Sequence, residues 1–119
     1  MVLWTRLAPQ PLAPDGGMPP QDVDVAWEIA HDTNFKNIAA RGVKRAEFAW
    51  HHSVHVEPRG LAPDRPYFYR FRVGAATSPV GRTWTAPAPG ASLERLRLAL
   101  ASCQHYEQGF FAAYRHMVA

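Results

Sequence analysis

The sequence predicts a mainly β protein: an antiparallel β-sandwich over residues 1–86, a linker over 87–94 and one strand–helix unit over 95–119. The sandwich is predicted by short runs in which apolar and polar residues alternate, because that period is typical of strands with one buried face. Turn residues separate these runs, which favours an antiparallel arrangement. The period is lost after a segment rich in Pro and Ala, and this loss predicts a second architecture.

Six runs are the predicted strands of the sandwich. The three clearest are DVDVAWEIA (22–30), HHSVHVEP (51–58) and PYFYRFRV (66–73), and the weaker ones are VLWTRL (2–7), NIAARGVKR (37–45) and VGRTWTA (80–86). The predicted inward faces of the first and third runs comprise Val23, Val25, Trp27, Ile29, Tyr67, Tyr69, Phe71 and Val73. The acidic residues opposite, Asp22, Asp24 and Glu28, are expected to be solvated surface.

A corner between two sheets is predicted at GLAPDRPYFY, which reads Leu61-x-Pro63-x-x-x-Tyr67. Pro63 fixes the backbone in the crossing, Leu61 fills the core, and the Tyr67 hydroxyl reaches a backbone group upstream. Such a corner is typical of fibronectin-III-like and Ig-like sandwiches. A proline-containing hairpin loop is the alternative.

Composition excludes several classes of protein. A net charge of +3 without an arginine cluster falls short of the basic stripe of a nucleic-acid-binding module. One cysteine excludes an internal disulfide. The sequence contains no apolar run long enough to span a membrane, and the first residues lack the pattern of an export signal.

A second domain is predicted to begin after TAPAPGAS, residues 85–92. Leu98 to Cys103 form an apolar run typical of a strand covered on both faces. Tyr106, Phe110, Tyr114 and Met117 then recur at helical spacing, and His116 falls on the exposed flank.

Cys103 is a candidate functional residue because it ends the predicted buried strand, where open α/β sheets bind ligands. A buried thiol that acts only as a small apolar side chain is the alternative. His105 lies two residues later, and the pair alone does not define a metal site.

His51, His52 and His55 also suggest a metal site. On a strand, however, His52 would point opposite to the other two, so the sequence favours a solvated face. None of the familiar catalytic motifs is present.

Five stretches carry a resemblance to a known family. They are VLWTRLAPQPLAPDGGMPP, VAWEIAHDTNF, HSVHVEPRGLAPDRPYFYRF, SPVGRTWTAPA and LALASCQHYEQGFFAAYRHM. In this order and spacing the chain resembles the N-terminal region of PhoD-like alkaline phosphatases. The resemblance implies a fibronectin-III-like domain followed by the start of a calcineurin-like metallophosphatase domain.

The resemblance also implies a function: hydrolysis of phosphate mono- and diesters by an extracellular, periplasmic or cell-wall enzyme that uses iron and calcium. Cys103 matches the family's iron-ligating cysteine, and the remaining ligands are expected beyond residue 119. The chain therefore resembles a fragment without a complete catalytic site or cofactor-binding site. We expect residues 1–119 alone to be inactive and residues 95–119 to pack against the rest of the catalytic domain.

Two other functions remain open. A stand-alone β-sandwich binding module could present Arg70, Arg72 and Arg82 with the aromatic residues Phe68 and Trp84. A small iron or redox protein could use Cys103, although the sequence supplies no obvious further ligands.

Overall fold

The computed structural model of the chain describes residues 1–95, 97, 99–102, 105 and 109–117. Two compact units divide the chain, Met1–Pro89 and Gly90–Ala119. The strands of the first unit are β1 (Leu3–Arg6), β2 (Val23–Ala30), β3 (Ile38–Ala46), β4 (Ser53–Val56), β5 (Pro66–Val73), β6 (Ala76–Thr77) and β7 (Gly81–Trp84), with a 3₁₀ turn at Phe48–Trp50. The second unit contains helix α1 (Ala112–Met117).

The first unit contains two antiparallel sheets. β1 pairs with β4, and the larger sheet has the order β3-β2-β5, with β6 and β7 both paired to β5. All these pairings are antiparallel, so the predicted mainly β, antiparallel class is confirmed. The short β1–β4 sheet is much narrower than the other sheet.

One hydrophobic cluster holds the two sheets together. Its buried members are Leu3, Val25, Ile29, Ala46, Val54, Val56, Tyr67 and Phe71, drawn from β1 to β5. Val25 and Ile29 are fully buried, as the period of two in β2 predicts. Each large apolar side chain contributes roughly 1.5–3 kcal/mol by leaving water, so this cluster is the main source of stability of the unit.

Two aromatic residues at the margin of this core lie over glycines of the neighbouring strand. Trp27 is directly opposite Gly42, and Tyr69 is directly opposite Gly81. A Cβ added to Gly42 would lie 2.7 Å from the Trp27 ring, and one added to Gly81 would overlap the Tyr69 ring. The missing side chains therefore make room for the aromatic rings.

The predicted corner lies between β4 and β5. The Ala62 backbone N–H donates to the Tyr67 hydroxyl oxygen at 3.0 Å, and Tyr67 itself is 1% exposed. Leu61 packs against the core as predicted. The Thr85 hydroxyl donates to the Ala62 carbonyl at 2.8 Å, so the segment after β7 also fixes the corner. The hydroxyl-to-backbone contact predicted from the sequence is confirmed.

The second unit differs in detail from the prediction. Helix α1 begins at Ala112, later than the predicted start near Tyr106, which lies outside the described residues. Gly109 and Phe111 have left-handed φ values of 104° and 51°, which end any helical path before Ala112. Residues 99–102 form no strand. A buried parallel strand needs paired neighbours, and no described residue pairs with this segment.

None of the helices that the structure describes has the length and apolar character needed to span a bilayer.

Candidate functional site

The predicted iron ligand Cys103 lies outside the described residues, so its position and its role stay predictions. Of its close neighbours, Ser102 and His105 are described, and both are exposed and outside regular structure. Across residues 1–95, 97, 99–102, 105 and 109–117, no group of three or more His, Cys, Asp or Glu side chains could hold a metal ion. The described residues therefore do not fit an iron or calcium site by themselves.

The three histidines of HHSVH differ in burial, and this difference agrees with the alternation predicted from the sequence. β4 begins only at Ser53, and His51 and His52 precede it with left-handed φ values of 50° and 56°. His51 and His55 are exposed, whereas His52 is 1% exposed. The prediction that His52 points away from His51 and His55 agrees with this burial pattern, whereas the expectation of a solvated position is wrong for His52.

His52 connects the start of β4 to the segment that leads into β2. Its Nε2 lies 2.8 Å from the Gln21 carbonyl oxygen. A carbonyl oxygen can only accept, so Nε2 carries the proton and donates. The His52 backbone N–H donates to the Glu47 carbonyl at 3.0 Å, and its ring lies 6.0 Å from that of Phe48. These contacts give His52 a structural role.

The three acidic residues at the start of β2 and within it form hydrogen bonds or ion pairs with other residues. Asp22 accepts a hydrogen bond from the Phe48 backbone N–H at 3.0 Å. Asp24 lies 3.4 Å from the Arg45 guanidinium in an exposed pair. Glu28 lies 2.6 Å from Arg70, and its side chain is only 18% exposed. The expectation of simple solvated surface is therefore wrong for Glu28, because its neighbour on β5 neutralises it.

Several of the residues proposed for a binding surface already have intramolecular partners. Arg70 pairs with Glu28 and also lies 4.0 Å from the centre of the Phe35 ring. Arg82 lies 5.9 Å from the Trp84 ring, whose indole N–H donates to Asp64 at 3.0 Å. These contacts hold Arg70 and Trp84 in place, so they reduce the freedom of this face to adapt to a partner.

The loop between β2 and β3 is organised by one carboxylate that the sequence prediction did not single out. Asp32 accepts hydrogen bonds from the backbone N–H groups of Asn37 at 2.8 Å, Asn34 at 2.9 Å and Lys36 at 3.2 Å. The pKa of Asp32 is lowered, chiefly by the hydrogen bond from the Asn37 amide. The Lys36 and Asn34 amides and the Lys36 charge act in the same direction, and partial desolvation opposes them. In the sequence, the stretch DTNFKN contains Asp and Asn residues that are typical of Asx turns, so it was the feature that could have predicted this loop.

Comparison with known proteins decides the family. The model of the family described as "PhoD-like phosphatase, N-terminal domain" matches residues 1–87, which lie within the first unit. The chain belongs to the PhoD-like phosphatase family. This membership confirms the resemblance seen in the sequence.

Two relatives of this PhoD-like chain extend the match into the second unit. The chain is 53% identical over 117 residues to alkaline phosphatase D of Bacillus subtilis strain 168, covering 98% of this chain and 20% of that protein. It matches a solved structure titled "Structure of PhoD" with a TM-score of 0.87 and 53% identity, covering 98% of this chain and 22% of the other. The chain thus spans about a fifth of the length of these relatives.

Proposed function

We propose that residues 1–119 are the N-terminal part of an enzyme that hydrolyses phosphate mono- and diesters outside the cytoplasm. The observation that carries this proposal is the 53% identity to alkaline phosphatase D, which runs through both units of the chain. Identity limited to the sandwich would support only a shared accessory domain. The relative is named for phosphatase activity, and the same activity in the protein that contains this chain is our inference.

Within this proposal the two units have different roles. Met1–Pro89 has its own hydrophobic core, and its residues His52, Asp22 and Glu28 are engaged in structural contacts. This unit is therefore a scaffold. Residues 95–119 are the part that packs against the remainder of the catalytic domain, and Cys103 is the ligand that they contribute to an iron ion.

A metal shell needs ligands from outside this chain. The described residues hold no cluster suited to iron or calcium. A single thiolate does not complete a coordination shell, and catalysis by metal ions requires a fixed one. Iron and calcium are therefore the proposed cofactors of the longer protein, and residues 1–119 alone are expected to be inactive.

Activity of the isolated chain is the first test. Purified residues 1–119, supplied with iron and calcium, are expected to hydrolyse p-nitrophenyl phosphate no faster than the buffer blank. Metal-dependent turnover well above the blank, retained through a second purification step, would contradict the division of roles.

A chimera tests the activity of the longer protein. This chain replaces the matching 117-residue stretch of the Bacillus subtilis relative. The chimera is expected to hydrolyse p-nitrophenyl phosphate and bis-p-nitrophenyl phosphate at rates within about tenfold of those of the parent. A tenfold difference in rate corresponds to a change of about 1.4 kcal/mol in transition-state stabilisation. A folded chimera without activity would contradict the proposal, and circular dichroism distinguishes that result from misfolding.

A stand-alone binding module is the second candidate. The observation that favours it is the separate core of Met1–Pro89. A chain cut after Ala86 keeps the hydrogen bond from the Asp64 N–H to the Ala86 carbonyl, so it is expected to fold. If it folds and binds a ligand while the chimera is inactive, the binding role replaces the enzymatic one.

A further inference from the structure

The segment through which the chain leaves the first unit, residues 84–86, is bonded to the corner between β4 and β5. The Thr85 N–H donates to the Arg65 carbonyl at 3.0 Å, and the Asp64 N–H donates to the Ala86 carbonyl at 3.1 Å. These two bonds continue the pairing of β5 with β7 past the ends of both strands. The backbone is therefore held by the corner as far as Ala86.

The Thr85 hydroxyl strengthens this connection. It accepts a hydrogen bond from the Arg65 N–H at 3.1 Å, and it donates to the Ala62 carbonyl at 2.8 Å, the nearer of two carbonyl oxygens. A hydroxyl group has one donor and can also accept, so both capacities are used. The Ala62 N–H donates in turn to the hydroxyl of Tyr67, which is buried in the core. Ala62 thus connects Thr85 to the core.

Asp64 adds a side-chain contact to the same region. Its carboxylate accepts a hydrogen bond from the Trp84 indole N–H at 3.0 Å. The φ of Asp64 is 50°, in the left-handed region that few residues other than Gly adopt. Such a conformation persists where the surrounding contacts determine it. Residues 62–65 and 84–86 together are called the clasp below.

The chain after the clasp has a different character. Pro87 and Pro89 each have a fixed φ, and a proline restricts the residue before it to extended conformations. Gly90 has a φ of 80°, and a Cβ added to it would meet no atom within 4 Å. Within the described part of the chain, residues 87–94 form no hydrogen bond. Gly90 is therefore the first position after the clasp at which neither a ring nor a neighbour restricts the backbone.

We propose that the clasp is a conformational device that fixes where and in which direction the chain leaves the first unit, and that free rotation of the backbone begins at Gly90. The mobile tether then comprises residues 90–94 instead of residues 85–94. A shorter tether has fewer conformations and a shorter reach, so opening the clasp would enlarge the range of positions open to the segment that follows. This effect is the same whether the longer protein is an enzyme or a binding protein.

Native-state amide hydrogen exchange of the full 119-residue chain, measured by NMR, tests the clasp. The amides of Asp64 and Thr85 report on it, because both donate within it. Thr85→Val keeps a branched side chain and removes the hydroxyl. It is expected to speed exchange of both amides at least about tenfold, which corresponds to about 1.4 kcal/mol, close to the contribution of one hydrogen bond. Amides of β2 are expected to change less than about twofold, because the opening is local.

Two further variants serve as controls. Thr83→Val removes the hydroxyl of another half-buried threonine, which contacts the Met1 sulfur at 3.2 Å and lies outside the clasp. It is expected to leave the exchange of the clasp amides unchanged. Thr85→Ser keeps the hydroxyl and is expected to keep their protection within about threefold of the parent chain. Should Thr85→Val not fold, loss of protection in a folded Thr85→Ser variant would overturn the proposal, and its retention would support it.

Nitrogen-15 relaxation of the parent chain tests where rotation begins. The order parameter of the Ala88 amide is expected near 0.85, and those of Ala91 and Ser92 below about 0.6. The proposal is overturned if Ala91 is as ordered as Ala88, or if the Asp64 amide is unprotected in the parent chain. It is also overturned if Thr85→Val leaves the clasp amides unchanged, or if it speeds exchange in β2 by the same factor, since the opening would then be global.

Discussion

Replacing Tyr67 by Phe tests the corner that joins the two sheets. The hydroxyl accepts the Ala62 N–H at 3.0 Å, and Tyr67 is 1% exposed, so water cannot easily replace the lost acceptor. The variant loses one hydrogen bond, worth about 0.5–1.5 kcal/mol, and leaves a partly buried donor unsatisfied, which raises the total to roughly 1–3 kcal/mol. For a domain of this size each kcal/mol lowers the melting temperature by about 4–8 °C.

Urea unfolding of the 119-residue chain, followed by tryptophan fluorescence, measures this loss. Tyr69→Phe is the matched control, because the half-buried Tyr69 hydroxyl makes no hydrogen bond within the described part of the chain. The control is expected to change the free energy of unfolding by less than about 0.5 kcal/mol. Equal effects of the two substitutions would refute the role assigned to the Tyr67 hydroxyl.

Three further substitutions probe contacts in the first unit. His52→Ala removes the donor to the Gln21 carbonyl and leaves a cavity, so the free energy of unfolding in urea is expected to fall by about 2–4 kcal/mol. A fall of less than about 1 kcal/mol would contradict the structural role of His52. Gly81→Ala forces the Tyr69 ring aside and is expected to cost roughly 1–3 kcal/mol, whereas an unchanged urea midpoint would show that the ring has room. Asp32→Ala is expected to be less stable than the parent chain at pH 6. Folding lowers the pKa of Asp32, so the stability that this carboxylate contributes is present above the unfolded pKa of about 3.9 and is lost as the pH falls through the folded value. The melting temperatures of Asp32→Ala and the parent chain should therefore converge in acid.

Much of the first unit could be predicted from the sequence because its signals are local. The period of two in β2 places Val25 and Ile29 in the core, and both are buried. The Leu61-x-Pro63-x-x-x-Tyr67 spacing predicts the corner, because proline geometry and the reach of a tyrosine side chain are properties of the residues themselves. These predictions need no knowledge of distant parts of the chain.

Other features depend on contacts that the sequence pattern does not contain. The burial of His52 depends on the segment before β2, whose Gln21 carbonyl accepts its hydrogen bond, and the alternation around His52 does not contain that contact. The pairing of Glu28 with Arg70 depends on the neighbour order of β2 and β5. The role of Cys103 was inferred from family resemblance, since a single cysteine carries little information about its ligands.

The iron content of the chimera with alkaline phosphatase D tests the central proposal most directly. Elemental analysis of the purified chimera is expected to find iron. The Cys103→Ser chimera is expected to lack iron and to have a phosphatase activity more than about 100-fold lower, because the loss of residues that only support metal ligands already lowers metal affinity or activity by about 10–100-fold. Ser102→Ala is the control and is expected to keep both. A folded Cys103→Ser chimera that retains iron and full activity would contradict the assignment of this thiolate as a ligand.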